Sequence, residues 1–215
     1  MTRPPGTPSA SERAYAHVKQ GILEGTREGG QFFTEGEVAE AVGVSRTPVR
    51  EALLRLEVEG YLRLYPKKGA MIVPVSAQEA QDVIEARGVI EEWAANRIWP
   101  YRKEILDDLR GALARMRAAG RANAVDDFVA ADHSFHECLV SAAGNAILTR
   151  QYRALGERQR CVSRSAIRAS GATMGRAIAG HRHLIDLLAT GTKAEFLTAT
   201  SEHLTLAHQL TASVR

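Results

Sequence analysis

Apolar residues first recur at helical spacing from about Ser11, where Tyr15, Val18, Ile22 and Leu23 share one stripe until GTREGG breaks it after Glu24. A second helix is predicted from Thr34. Thr34 and Glu37 have capping-box spacing, Val38, Ala39 and Val42 form the apolar face, and Gly43 is the stop. A third helix takes Ser45 as its N-cap and tolerates Pro48 in its first turn, where a missing amide hydrogen costs least. It runs through Val49, Ala52, Leu53 and Leu56 to Gly60. Two short strands, 61–64 and 70–73, are expected around the turn YPKKG. Ser76 and Glu79 repeat the capping spacing, and from there the pattern is helical only: 76–98, 102–119, 123–143, 145–169, 172–190 and 192–213. The breaks are read at Pro100, Gly120, Gly144, the Ser170–Gly171 pair and Gly191. Six such helices fit one bundle. The expected fold is mostly α: a tail over 1–10, a winged helix-turn-helix over 11–75 and an all-helical domain over 76–215.

Composition narrows the picture only modestly. The chain has 215 residues and a formal net charge of +3, which by itself demands no nucleic-acid partner. The opening MTRPPGTPSA is rich in Pro, Gly, Ser and Thr, and reads as a disordered tail rather than a secretory signal. There is no run of eighteen apolar residues, so no membrane span is expected, and the cytoplasm is the expected compartment. Cys138 and Cys161 lie in predicted helices without CxxC spacing and are expected as free thiols.

The charge that matters is local. Between Arg46 and Lys68 six residues are basic and three acidic. Two short helices joined at a glycine form a helix-turn-helix, whose second helix lays its N-terminal end in the major groove of duplex DNA. That end carries Ser45, Arg46, Thr47 and Arg50. Arg46 and Arg50, four apart, share a face, and each can grip guanine O6 and N7. Ser45 and Thr47 can bond phosphate. Lys67 and Lys68 sit at the tip of the hairpin. A solvated charged face is the plainer reading of the same charges; the caps, glycine turn, paired arginines and basic hairpin together favour DNA.

In the helical half, Asp132 and His136 are also four apart, so one face can present a carboxylate oxygen and an imidazole nitrogen to one ion. A surface Asp–His pair has the same spacing. His181 and His203 lie on the last two helices. If the bundle gathers all four, the donor set suits Zn, Ni or another first-row divalent ion. His133 is about 100° round the helix from Asp132 and should point elsewhere. His183 should likewise face away from His181, and His17 and His208 should be solvated. Trp93 and Trp99 read as core or interface. Arg150, Arg153, Arg158, Arg160, Arg164 and Arg168 read as a solvated helix face. Arg87 has an i+4 neighbour in Glu91, which reads as a surface ion pair.

The stretch GVSRTPVREALLRLEVEGYLRLYPKKGAMIVPVS closely resembles the winged helix of the GntR family of bacterial transcription regulators, and the likeness extends back to Tyr15. It implies that Arg46 and Arg50 read bases, that Ser45 and Thr47 anchor phosphate, and that Lys68 with Gly69 places the wing. The chain departs from the family in having Gly29–Gly30 where a Pro-Gly pair is usual. It also has Gly36 where a basic residue is common, which removes one expected DNA contact. ADHSFHECLVSAAGN, AGHRHLIDLLATG and SEHL resemble the ligand-binding FCD domain of FadR-type members, and six helices resemble its VanR-like branch. The resemblance implies a metal held by Asp132, His136, His181 and His203, with Arg87 facing the cavity to hold a small carboxylate effector. Asn145 follows Gly144 in the family's GN pair and serves either the effector or a helix cap; the cap is favoured.

A single winged helix makes few contacts, so a homodimer on a palindromic operator is expected, with repression relieved by the effector. The competing reading is a metal-dependent hydrolase fused to a helix-turn-helix. No GxSxG or HExxH is present, and Glu137 is rotated off the ligand face. An architectural DNA binder, the third reading, would have no need of four gathered metal-type donors.

Overall fold

The computed structural model describes residues 8–169 and 173–212. Most of the predicted tail and the Ser170–Gly171 break lie outside the described residues, as does the side chain of His208. The chain divides into two compact units, Met1–Val75 and Ser76–Arg215. Among the described residues no helix is long and apolar enough to cross a membrane.

In the first unit, α1 (Ala10–Glu24) starts earlier than the apolar stripe alone suggests. Ser9 and Glu12 form a complete capping box, so Ser9 and Ala10 belong to the helix rather than to the tail. The expected box at α2 (Glu35–Val42) is present, with Thr34 and Glu37 exchanging side-chain and backbone bonds, and Gly43 ends the helix left-handed at φ 68°. Helix α3 (Arg46–Val58) buries Val49, Ala52, Leu53 and Leu56. Its far end is tied to α1: the Tyr15 hydroxyl donates to the Glu59 carboxylate, Lys19 Nζ lies 3.1 Å from Glu59 Oε2, and the Arg55 guanidinium covers the Tyr15 ring.

The wing strands β2 (Leu62–Tyr65) and β3 (Gly69–Ile72) sit within a residue of expectation. A two-residue strand, β1 (Phe32–Phe33), was not expected: it is too short to show alternation, and it exists because β3 offers it an edge. The antiparallel order is β1-β3-β2. Gly69 is obligatory in this sheet. Its φ is 96°, and a Cβ there would collide with the Phe33 carbonyl oxygen.

The second unit contains α4 (Ala77–Ile98), a 3-10 turn (Trp99–Tyr101), α5 (Leu106–Ala122), α6 (Val125–Ala142), α7 (Ala146–Ala169), α8 (Thr173–Thr190) and α9 (Lys193–Ala212). Helix α4 packs against α6, α7 and α9, α5 packs against α6 and α8, and α8 against α9. Phe128, Phe135, Tyr152, Phe196, Leu109, Met116, Leu184 and Leu188 fill the space between them. Trp93 and Trp99 are packed, partly buried, against that core. Gly120 does not end α5 as read from the sequence. The helix continues past it, because Gly120 faces the Ile178 side chain and the left-handed stop falls on Asn123, φ 51°. The arginines of α7 are not simply solvated either. Arg158 pairs with Glu79 at 3.2 Å, Arg153 with Glu137, and Arg164, itself buried, with Asp126.

Candidate functional site

Two surfaces carry chemistry, one in each unit. In the first, Arg46, Arg50, Lys67, Lys68 and Gly69 line one open groove together with Thr34, Gly36 and Tyr65. Ser45, Arg46, Thr47 and Arg50 are all exposed at the start of α3. Ser45 stands at the N-cap position, yet its hydroxyl makes no capping bond, so it remains available to a ligand. Lys67 holds a left-handed φ of 64° at the tip of the β2–β3 turn, and both Lys67 and Lys68 are exposed. A side chain at Gly36 would begin 3.5 Å from an Arg46 guanidinium nitrogen. The Arg46 head therefore lies beside the position where a basic residue is usual in the family this segment resembles.

The second surface is buried. His136 on α6, His181 on α8 and His203 on α9 bring ligand nitrogens within 4.8 Å of one another. Asp132, one turn before His136, places Oδ1 3.3 Å from His181 Nε2. The His136 and His181 Nε2 atoms are 3.0 Å apart. Two of the rings have their other nitrogen against an acceptor, His181 in a hydrogen bond and His136 in a close contact that falls short of hydrogen-bond geometry. His181 Nδ1 donates to the Ala177 carbonyl at 2.7 Å, and His136 Nδ1 lies 2.8 Å from Glu91 Oε2. Across 3.0 Å one Nε2 can donate to the other, or, with hydrogens on both Nδ1 atoms, both lone pairs can turn to one cation. That spacing is what two nitrogens have when bound side by side to one ion about 2.0–2.1 Å away. Burial pushes the His181 pKa down to about 3, with the neighbouring His136 adding to the effect, and burial lowers that of His203 as well. Both rings are therefore neutral near pH 7 with lone pairs to offer, and the donor set fits a divalent ion.

Glycine makes room for this cluster. A Cβ at Gly180 on α8 would stand 2.7 Å from His203 Nδ1, so only glycine lets that ring rest against the α8 backbone. Gly156 on α7 does the same for His133, whose ring stacks on Tyr152 with centroids 5.7 Å apart. His133 thus points away from the ligand cluster, as its helix angle predicts, and His183 is exposed.

Arg87 corrects the surface ion-pair reading. It does pair with Glu91, Nε and NH2 each 2.8 Å from Glu91 Oε1, but both residues are buried inside the bundle. The Tyr152 hydroxyl donates to the same oxygen at 2.6 Å. Burial alone would raise the Glu91 pKa, but Arg87, His136 and Tyr152 together outweigh it and hold the carboxyl below its usual range. Glu91 was seen in the sequence only as a partner for Arg87. Nothing in the local pattern announces that it also meets a residue 45 positions away. Asn145 caps α7, its Oδ1 accepting from the Ile147 and Leu148 amides at 3.0 and 3.1 Å.

Comparison with known proteins gives the same division of labour. Residues 10–72 match the family model described as bacterial regulatory proteins, gntR family, and residues 82–206 match that of the FCD domain. An HTH-type transcriptional regulator of Agrobacterium vitis, from its TAR-I ttuE-ttuC' intergenic region, is 36% identical over 134 residues, covering 60% of this chain and 78% of that protein. The gluconate operon transcriptional repressor of Bacillus licheniformis is 28% identical over 141 residues, covering 65% of this chain and 58% of that one, so the likeness spans little more than half its length. Among solved structures, a GntR regulator from Rhodococcus sp. RHA1 superposes with a TM-score of 0.81 at 19% identity, over 97% of this chain and all of that one, which speaks for the fold. Both matched domains are those of transcription regulators, not enzymes, and a hydrolase finds no support. The chain belongs to the GntR family of bacterial regulatory proteins, as a DNA-binding transcription regulator whose C-terminal half is an FCD ligand-binding domain.

Proposed function

We propose that this regulator is a repressor that binds a two-fold symmetric operator as a homodimer and lets go when a small carboxylate enters the FCD domain beside a divalent metal ion. In this reading Arg46 and Arg50 grip guanines, Ser45 and Thr47 hold phosphates, and Lys67, Lys68 and Gly69 set the wing against the backbone. Asp132, His136, His181 and His203 hold the ion, Zn or Ni by the nature of the donors. The ion supplies positive charge and a further ligand position for a carboxylate oxygen, with the Arg87 guanidinium close by to accept the rest of the anion.

The observation that carries the reading is the gathering of three imidazoles beside Asp132, their ligand nitrogens all within 4.8 Å of one another. Burial holds His181 and His203 neutral, so both keep lone pairs to offer a cation. Repression is supported by the names of relatives, the gluconate operon repressor among them. Asn145 has its side-chain oxygen committed to the α7 amides, which favours a cap over an effector contact.

Selection of bound sequences from a random DNA pool tests the DNA half. A palindromic consensus rich in guanine at symmetric positions, lost in Arg46→Ala and Arg50→Ala, is expected. Undiminished enrichment of the same consensus by both variants would contradict the assignment.

A further inference from the structure

Resting on the metal site just proposed, we infer that Glu91 is a positioning residue shared by the metal and the effector: it orients His136 as a ligand and at the same time occupies the gripping edge of Arg87. The inference comes from how its two oxygens are divided. Oε2 lies 2.8 Å from His136 Nδ1. A carboxylate at that distance favours a hydrogen on Nδ1 and leaves Nε2, 3.0 Å from His181 Nε2, to bind an ion, although Nδ1 makes no well-angled hydrogen bond in this structure. Oε1 receives Arg87 Nε and NH2 at 2.8 Å each and the Tyr152 hydroxyl at 2.6 Å. The Nε–NH2 edge is the side of a guanidinium suited to a two-point grip on a carboxylate, and here an internal carboxylate already holds it. An incoming carboxylate can take that edge only by drawing Arg87 away from Glu91.

Glu91 is only 2% exposed, so it touches the ion and the effector through its neighbours rather than through solvent. A carboxylate behind a ligand histidine fixes its tautomer and raises its basicity, and losing such a partner costs about 10–100-fold in metal affinity. Any movement of Arg87 off Glu91 changes the charge that His136 feels. Metal affinity and carboxylate affinity are then linked through one side chain, and by thermodynamic necessity the link is reciprocal.

The test is calorimetric titration of Ni2+ into the metal-free full-length protein, its Glu91→Gln variant and its His181→Ala variant, with 15N spectra of the histidine side chains. Glu91→Gln leaves Arg87 buried without its counter-charge and can fail to fold, so Arg87→Met and the double variant Arg87→Met/Glu91→Gln are titrated alongside. Native-like secondary structure, Ni2+ binding at least tenfold weaker whenever Glu91 is Gln, and a His136 no longer held as the Nδ1–H form would support the inference. Arg87→Met alone should bind Ni2+ more tightly than wild type, because its Glu91 still meets His136 and no longer shares its charge with a guanidinium. Wild-type affinity and an unchanged His136 tautomer in the folded Gln variants, with binding lost in His181→Ala, would overturn the inference and leave the metal site standing. No Ni2+ binding by the wild-type protein, or full binding by His181→Ala, would overturn the metal site itself and the inference with it.

Discussion

The groove of the N-terminal unit and the polar cluster of the FCD domain use charge in opposite ways. Arg46, Arg50, Lys67 and Lys68 are exposed cations lining an open groove. Arg87, Glu91, His136 and His181 are buried, and every charge among them has to be met from within the bundle. An exposed cation costs nothing to keep unpaired, so it can be held ready for a partner. A buried one destabilises the protein unless it is paired, so the ligand site is already a network before any ligand enters.

The largest effect expected from this contrast is on stability. Arg87→Ala should cost about 3–5 kcal/mol in urea unfolding, because Glu91 is left buried and uncompensated, whereas Arg46→Ala should change stability by less than about 0.5 kcal/mol. Equal losses in both would erase the distinction. Next comes recognition: Arg46→Ala and Arg50→Ala should each remove about 1–3 kcal/mol of preference for operator over random DNA, read by fluorescence anisotropy. A variant with an unchanged ratio would show that its arginine reads no base. Gly180→Ala should weaken metal binding about tenfold by pushing the His203 ring off its seat, although alanine favours the helix itself by about 1 kcal/mol. A more stable variant that binds metal as well as wild type would show that the seat adapts. The smallest expected change is in salt dependence. Lys67→Ala and Lys68→Ala should each lower the slope of log affinity against log salt by about one, leaving sequence preference alone.

The same contrast explains what could be read from the sequence. The capping pair Thr34–Glu37, the Gly43 turn, Arg46 with Arg50 and the wing lysines all lie within 35 residues, and local spacing suffices to place them on one surface. Strand β1 escaped because two residues have no period and need the β3 edge to become a strand. In the bundle, helix order was legible and most helix ends fell within a residue or two, α5 being the exception. Gly120 looked like a stop, yet it is a helical glycine fitted to Ile178, and Asn123 supplies the stop. The four candidate ligands could be listed from a resemblance, and Asp132 and His136 also from their spacing. What spacing could not supply was depth: Arg87–Glu91 has the same i, i+4 signature on a surface as in a core. Glu91's contacts with His136 and Tyr152 arise only from packing α4 against α6 and α7.

The central claim is that a carboxylate bound at the metal cluster controls DNA binding. The direct measurement is fluorescence anisotropy of the metal-loaded protein on its selected operator during titration with a panel of small mono- and dicarboxylates, repeated with His181→Ala. The account predicts that at least one acid releases the wild-type protein at a concentration that leaves the His181→Ala variant bound. An operator complex indifferent to every acid, or one released equally in wild type and variant, would contradict it.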